Sequence, residues 1–186
     1  SSVSAPVDVT GWRVRTDRGA EIVINGGVNY AGPVNLARIL LRPGVAATIY
    51  ESRGTFVKNV EMNKCTGYLN DTYDFTPDLP NNCPRPDRND VAGLSSSCQS
   101  FVLSLGACRK PTGDEWNRFA NEGDLNCLVF LSNLNYENCY REHSAEADFF
   151  RYGWRVWLDQ AFPFDREGGK LFLLDSAGLL VDVYTY

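Results

Sequence analysis

Apolar and polar side chains alternate along Gly11-Trp12-Arg13-Val14-Arg15, the two-residue period of a strand with one buried face. Trp12 is the expected core residue of this strand, with Arg13 and Arg15 on the opposite face. Asp17-Arg18-Gly19 signals a turn and Glu21 to Ile24 follows, so the pattern predicts a hairpin. Asn25 to Asn35 is rich in Gly and Asn and reads as a loop. Ile39 to Leu41 runs into Arg42-Pro43-Gly44, a second turn, before an apolar strand over Ala46 to Tyr50. Near the other end Trp154, Val156 and Leu158 share one strand face. Leu171 to Leu174 and Leu179 to Tyr186 flank Asp175-Ser176-Ala177-Gly178, a predicted closing hairpin with Gly178 where positive φ is needed. Its alternation points Leu179, Val181 and Val183 inward, and Asp182, Tyr184 and Tyr186 outward.

Between these flanks the period changes. Tyr68 to Pro86 carries Pro77, Pro80, Pro84 and Pro86 among several Asn and Asp, which predicts an ordered but irregular loop. From Ser97, a good N-cap, Cys98, Phe101, Val102 and Leu105 recur at helical spacing until Gly106 stops the helix. Thr112 with Glu115 matches a capping box and opens a short helix carrying Trp116 and Phe119. Cys127, Phe130, Leu131 and Leu134 repeat the stripe, and a last short helix is expected over Ser144 to Phe150. Gly-Trp-Arg-Val occurs at Gly11 to Val14 and again at Gly153 to Val156; the likeness goes no further and reads as two similar strand starts.

The cysteines follow the same division. All 6 lie between Cys65 and Cys139, spaced without a Cys-x-x-Cys pair, and the chain has 1 histidine. That favours disulfides over zinc and implies an oxidising compartment, extracellular or at a cell surface. The expected organisation is one domain over 1–186, with a β framework (1–52 and 151–186) and a helical disulfide insertion (53–150). A helix rises about 1.5 Å per residue, so Cys98 and Cys108 at the ends of one helix stand roughly 15 Å apart. A disulfide needs Cα atoms about 4.4–6.8 Å apart, which excludes that pair, and Cys127 with Cys139 likewise. Antiparallel neighbouring helices then predict Cys98–Cys139 and Cys108–Cys127, leaving Cys65–Cys83, among the roughly fifteen connectivities that six cysteines allow.

A formal charge of −5, with 18 basic residues scattered along the chain, argues against a partner held by its phosphate backbone; no nucleic acid is expected. No apolar run is long enough to span a membrane, and the start at Ser1 without Met suggests a processed product. Candidate chemistry is thin. His143 sits in Arg141-Glu142-His143-Ser144 with no nucleophile motif, and reads as a structural histidine. Asp114-Glu115 fits a helix's first turn better than a glycosidase pair. Asn70-Asp71-Thr72-Tyr73-Asp74 is rich in oxygen ligands and contains a glycosylation sequon, but lacks calcium-loop spacing. No metal, cofactor or catalytic residue is assigned. Tyr68, Tyr73 and Phe75, with Phe162 and Phe164 around Pro163, are candidate aromatic ligands for sugars or a partner protein, unless they cover the insertion's own small core.

Several of these segments occur together in a known order. Pro6-Val7-Asp8-Val9-Thr10-Gly11-Trp12-Arg13-Val14 resembles the early strand of lamin tail domains, and Leu41-Arg42-Pro43-Gly44 resembles their Pro-Gly turn. Leu171 to Asp175, Gly178 and Val181-Asp182 resemble their closing hairpin. The insertion, through Cys83-Pro84-Arg85-Pro86, Cys98 to Cys108 and Asn135 to Trp154, is similar to one in lamin-tail-type proteins of bacteria. The resemblance implies a mainly β, immunoglobulin-like β-sandwich on a secreted or surface-exposed protein. It also implies a non-catalytic interaction or structural module with a protein partner or self-assembly; a carbohydrate-binding module, or a DNA-binding adjunct, is the alternative. Lamin tail domains carry further strands before the Gly-Trp strand, where this chain has only Ser1 to Ala5 ahead of Pro6. That gap leads to the expectation of a bare sheet edge, filled by strand addition from another chain, with Tyr184 and Tyr186 adding contacts.

Overall fold

The flanking segments pair into three sheets. From the N-terminus the strands are β1 (Val7–Asp8), β2 (Arg13–Thr16), β3 (Glu21–Val23), β4 (Gly27–Val28), β5 (Leu40–Leu41), β6 (Ala47–Tyr50), β7 (Asn59–Glu61), β8 (Trp154–Trp157), β9 (Lys170–Leu174) and β10 (Leu180–Thr185). The computed structural model describes residues 5–31, 36–51, 58–158 and 168–186. Its contacts divide the chain into a β unit (Ser1–Asn63, Asp74–Thr76, Phe150–Tyr186) and a helical unit (Lys64–Tyr73, Pro77–Phe149). Phe162 and Phe164 lie outside the described residues.

In the β unit, β1 pairs with β5, and an antiparallel sheet runs in the order β10-β9-β2-β3. A third sheet runs β4-β7-β8-β6, parallel between β4 and β7 and between β6 and β8, antiparallel between β7 and β8. The predicted first hairpin forms with Arg13 opposite Val23 and Arg15 opposite Glu21, and Gly19 takes φ +86° at its turn. Val9, Ile24, Ile39, Trp154 and Val156 make the core, with Trp12, Val14, Leu41 and Ala47 packed on it, so residues from all three sheets share one interior. Gly11 and Gly153 both have φ near +80° ahead of their Trp-Arg-Val strands. At Gly153 a Cβ would come within 2.2 Å of the Ala46 carbonyl oxygen, so only glycine fits.

Three expectations change here. Trp12 is half-buried, and the buried tryptophans are Trp154 and Trp157, because β8 is an interior strand whose four residues are all buried. Arg155 is buried as well, with its guanidinium 5.1 Å from the Tyr50 ring. The β framework extends past residue 52, since β7 belongs to its mixed sheet. And β2 is no bare edge: it lies between β9 and β3, which leaves β10 at one end of that sheet.

The helical unit holds α1 (Ser96–Ser104), α2 (Gly113–Asn121), α3 (Leu125–Ser132) and α4 (Tyr136–His143), after a 3-10 helix at Thr66–Asp71. Every α-helix has a side-chain N-cap. Ser95 Oγ accepts from Cys98 N–H, two residues ahead of the predicted cap at Ser97, and Asp124 accepts from Cys127 N–H. Asn135 accepts from Asn138 N–H, and Thr112 and Glu115 form the predicted reciprocal capping box. Val91, Cys98, Val102, Leu105, Phe119, Cys127 and Leu131 form the core, with Trp116 and Phe130 against it. α4 has no counterpart in the sequence expectations, and Ser144 to Phe150 forms turns instead of the expected helix. With four α-helices and three sheets among the described residues, one of the sheets mixed, the chain is not simply mainly β.

All six cysteines are bonded, in pairs that correct the expected ones. The bonds are Cys65–Cys139, Cys83–Cys108 and Cys98–Cys127, in place of Cys65–Cys83, Cys98–Cys139 and Cys108–Cys127. Neither Cys98–Cys108 nor Cys127–Cys139 forms, but the premise that each pair brackets one helix fails, since α1 ends at Ser104, before Cys108. Asn133 to Asn135 separates α3 from α4, so Cys127 and Cys139 sit on different helices. Cys98 and Cys127, each in the first turn of its helix, face the same core with Cα atoms 5.8 Å apart.

Candidate functional site

The closing hairpin is built by local hydrogen bonds. The Asp175 carboxylate accepts from Ala177 N–H (2.9 Å) and Leu179 N–H (2.8 Å), and Gly178 takes φ +85°. A bulge between Leu180 and Asp182 then breaks the alternation expected of β10. Leu179, Val181 and Val183 do not point into a core: every β10 residue is exposed, on both faces of the strand, with Leu180 at 59% and Tyr184 at 64%. Tyr184 and Tyr186 stack with ring centroids 6.5 Å apart. Tyr186 exchanges two backbone hydrogen bonds with Gly169, so by alternation Val183 and Thr185 turn their backbone groups to the open edge. One of those, Val183 N–H, is taken by the Asp182 carboxylate at 2.8 Å.

The other aromatic candidates do not form an exposed platform. Phe75 is 5% exposed and packs on Trp157 in the β unit, ring centroids 5.7 Å apart. Tyr73 is half-buried, and Tyr68 is 5% exposed within the helical unit. Asn70 of the sequon spends its amide on the fold: Nδ2 donates to the Leu79 carbonyl (2.8 Å) and Oδ1 accepts from Leu79 N–H (2.9 Å). The Trp12 ring lines an open apolar groove of about 480 Å³ with Val7, Leu41 and Pro43, which is why it is only half-buried.

A second concavity lies wholly in the helical unit, a cleft of about 450 Å³. The 3-10 helix supplies Tyr68, the Pro84-Arg85-Pro86 segment one wall, α3 and the turn after it Phe130, Asn133 and Leu134, and α4 Glu142 and His143. Two disulfides frame it. Cys65–Cys139 ties the 3-10 helix to α4, and Cys83–Cys108 anchors the residue before Pro84. Arg85 donates to the Leu105 carbonyl at 3.0 Å, which fixes its guanidinium end. His143 Nδ1 lies 2.6 Å from Glu146 Oε1, and Glu146 also meets Lys64. The hydrogen bonds from Lys64 and then His143 hold the Glu146 carboxyl below its usual pKa. Burial, helped by the nearby charges of Asp71 and Glu142, raises the Tyr68 phenol above its ordinary value and keeps it protonated.

The grouping of Cys98, Asp124 and Cys127 resembles a metal-ligand set, but both sulfurs are consumed by their disulfide and Asp124 caps α3. Among the described residues no helix is long and apolar enough to cross a membrane. Sequence reasoning left Tyr68 between a candidate ligand and a cover for the insertion's own core, and read His143 as structural, without bringing them to one cleft. The disulfide connectivity that joins them was the missing signal. No protein-family model, characterised protein or solved structure matches the chain.

Proposed function

We propose that this chain is a non-catalytic extracellular or cell-surface interaction module of the lamin-tail type, its β unit an immunoglobulin-like framework that self-associates through the β9–β10 hairpin. The observation that carries the reading is the exposure of β10 on both faces along its whole length. Leu179, Leu180, Val181, Val183, Tyr184 and Tyr186 are exposed large apolar or aromatic residues within one eight-residue segment, interrupted only by Asp182 and Thr185. Scattered apolar residues on a surface need no explanation, but a segment of this kind characterises an interaction surface. The three disulfides support an oxidising, extracellular setting.

The contact runs through side-chain faces more than through backbone pairing. The bulge and the Asp182 carboxylate blunt the edge, two of the devices that suppress strand addition. Asp182 is the one charged residue of β10, so two copies packing like face on like face meet little repulsion. Light scattering across a concentration series should show a mass that rises to the dimer or beyond, and Tyr184→Lys should return it to the monomer without altering the melt. A monomer at every concentration would overturn self-association. Restoration by a leading-strand peptide, with Tyr184→Lys silent, would move the site to the groove beside Trp12.

A further inference from the structure

We propose that the disulfide-framed cleft of the helical unit is a binding site for a neutral carbohydrate, a mono- or disaccharide held by Tyr68, Arg85 and Glu142 against Phe130 and the adjoining prolines. The starting observation is Tyr68. Its side chain is 5% exposed, it lines the cleft, and its hydroxyl makes no hydrogen bond among the described residues. A buried phenol ordinarily finds a hydrogen-bond partner in the protein, in water or in a ligand, because leaving it without one forfeits its hydration with no return. This hydroxyl is not sealed from solvent, and it lies close enough to Glu142 for that charge to act on it. It is therefore a donor held ready at the floor of a concavity.

The lining selects the ligand class by its charges. Arg85 carries a positive charge, and Glu142 and Asp90 are negative. A cationic ligand faces the guanidinium, and an anionic one faces two carboxylates. A sugar hydroxyl meets both needs, since each one donates and accepts. It can donate a hydrogen bond to Glu142, which has no ion pair among the described residues, while accepting from Tyr68 or Arg85. Half-buried Phe130 with Pro84 and Pro86 supplies apolar surface for the C–H face of a pyranose ring.

Size and rigidity agree with this reading. The cleft volume of about 450 Å³ falls within the range of small-molecule sites. Both walls are crosslinked, so little ordering cost falls on binding. All lining residues of the cleft belong to the helical unit, and the proposal does not rest on self-association through the β unit.

Titration of the isotopically labelled chain with glucose, galactose, mannose, N-acetylglucosamine and cellobiose tests the proposal. At least one of them should saturate with millimolar or tighter affinity, and the shifted amides should cluster in Tyr68, Phe130 and Glu142. Tyr68→Phe removes only the hydroxyl, and Glu142→Gln removes only the charge. Each should weaken binding about 10-fold, the scale of one good hydrogen bond, with unchanged melting. Glu137→Gln, on α4 but outside the cleft lining, should leave affinity unchanged. Saturation by N-acetyl-lysine amide or glucuronate in place of every neutral sugar would overturn the ligand class. No saturation by any neutral sugar, or equal affinity in both cleft variants, would overturn the site.

Discussion

The β unit joins segments that lie far apart in the chain: β2, at residues 13–16, is zipped to β9, at 170–174, and no covalent bond ties the two. The helical unit has the opposite construction, with short capped helices close in sequence and all three disulfides. Its helices run 8 or 9 residues, too short to persist by propensity alone. Their order comes from caps, a shared core and crosslinks. The difference teaches where each unit is vulnerable: the β unit to loss of a buried group, the helical unit to reduction.

The largest expected effect comes from removing one crosslink. Cys65–Cys139 closes the longest loop, with a separation of 74 against 25 and 29 for the others. In the chain-entropy account its loss costs about 4–5 kcal/mol. Replacing both cysteines with Ala should melt the helical unit well below the β unit. Trp116 alone among the four tryptophans belongs to the helical unit, so tryptophan variants can assign the two transitions. One transition that moves as a whole would break the comparison, because it would make the units a single cooperative structure.

A smaller effect lies in the β unit. Glu61 is buried on β7, its side chain 5% exposed, and it is held by an ion pair with Arg42. Burial raises its pKa above the usual carboxylate value, with Arg42 opposing the rise. A raised carboxyl pKa contributes stability below its unfolded value near 4.5, and that contribution is lost as pH rises through the folded value. Arg42→Ala removes the opposing charge and leaves a buried carboxylate unpaired. Because the Arg42 side chain is 46% exposed, the cost at neutral pH should be about 2–3 kcal/mol, below that of a fully buried pair. It should shrink as pH falls toward the unfolded value, when Glu61 takes up a proton. Thermal melts at pH 7 and pH 5 check this, and a penalty independent of pH would mean that Glu61 is solvated.

What the sequence made legible follows the same contrast. Period-two alternation located the β2–β3 and β9–β10 hairpins, since each is local and closed by a Gly-bearing turn. It did not locate the parallel pairing of β6 with β8, which no local pattern encodes. Nor did it foresee the bulge in β10, because one inserted residue is invisible in an alternating run, or that both faces of β10 are uncovered, because alternation assumes one face is buried. In the helical unit Thr112-x-x-Glu115 was readable as a capping box. α4 was not: Tyr136–His143 is mostly polar, and it is held by its Asn135 cap and the Cys139 bond rather than by an apolar stripe. The cleft was illegible for a related reason. Tyr68 and Glu142 are remote in the chain, and only the true cysteine pairing brings their segments together.

The smallest expected effect tests whether acid separates the units. In the helical unit Glu115 has a lowered pKa, chiefly because its carboxylate accepts from the Thr112 backbone N–H, with Arg109 adding an ion pair at 2.6 Å. A depressed carboxyl pKa contributes stability above the unfolded value, and this is lost as pH falls through the folded one. Glu146, held low by Lys64 and His143, has the same sign. Mild acid should thus weaken the capping of α2 while it relieves the buried Glu61 of the β unit. Thr112→Ala removes the other half of the capping box and should cost about 1 kcal/mol at pH 7. Glu115→Gln keeps a side chain able to accept the same hydrogen bond but without charge, so it should flatten the acid slope of the helical transition. If Glu115→Gln leaves that slope unchanged, Glu146 and its Lys64 and His143 partners carry the acid response instead, and the reciprocal cap serves α2 through geometry more than through charge.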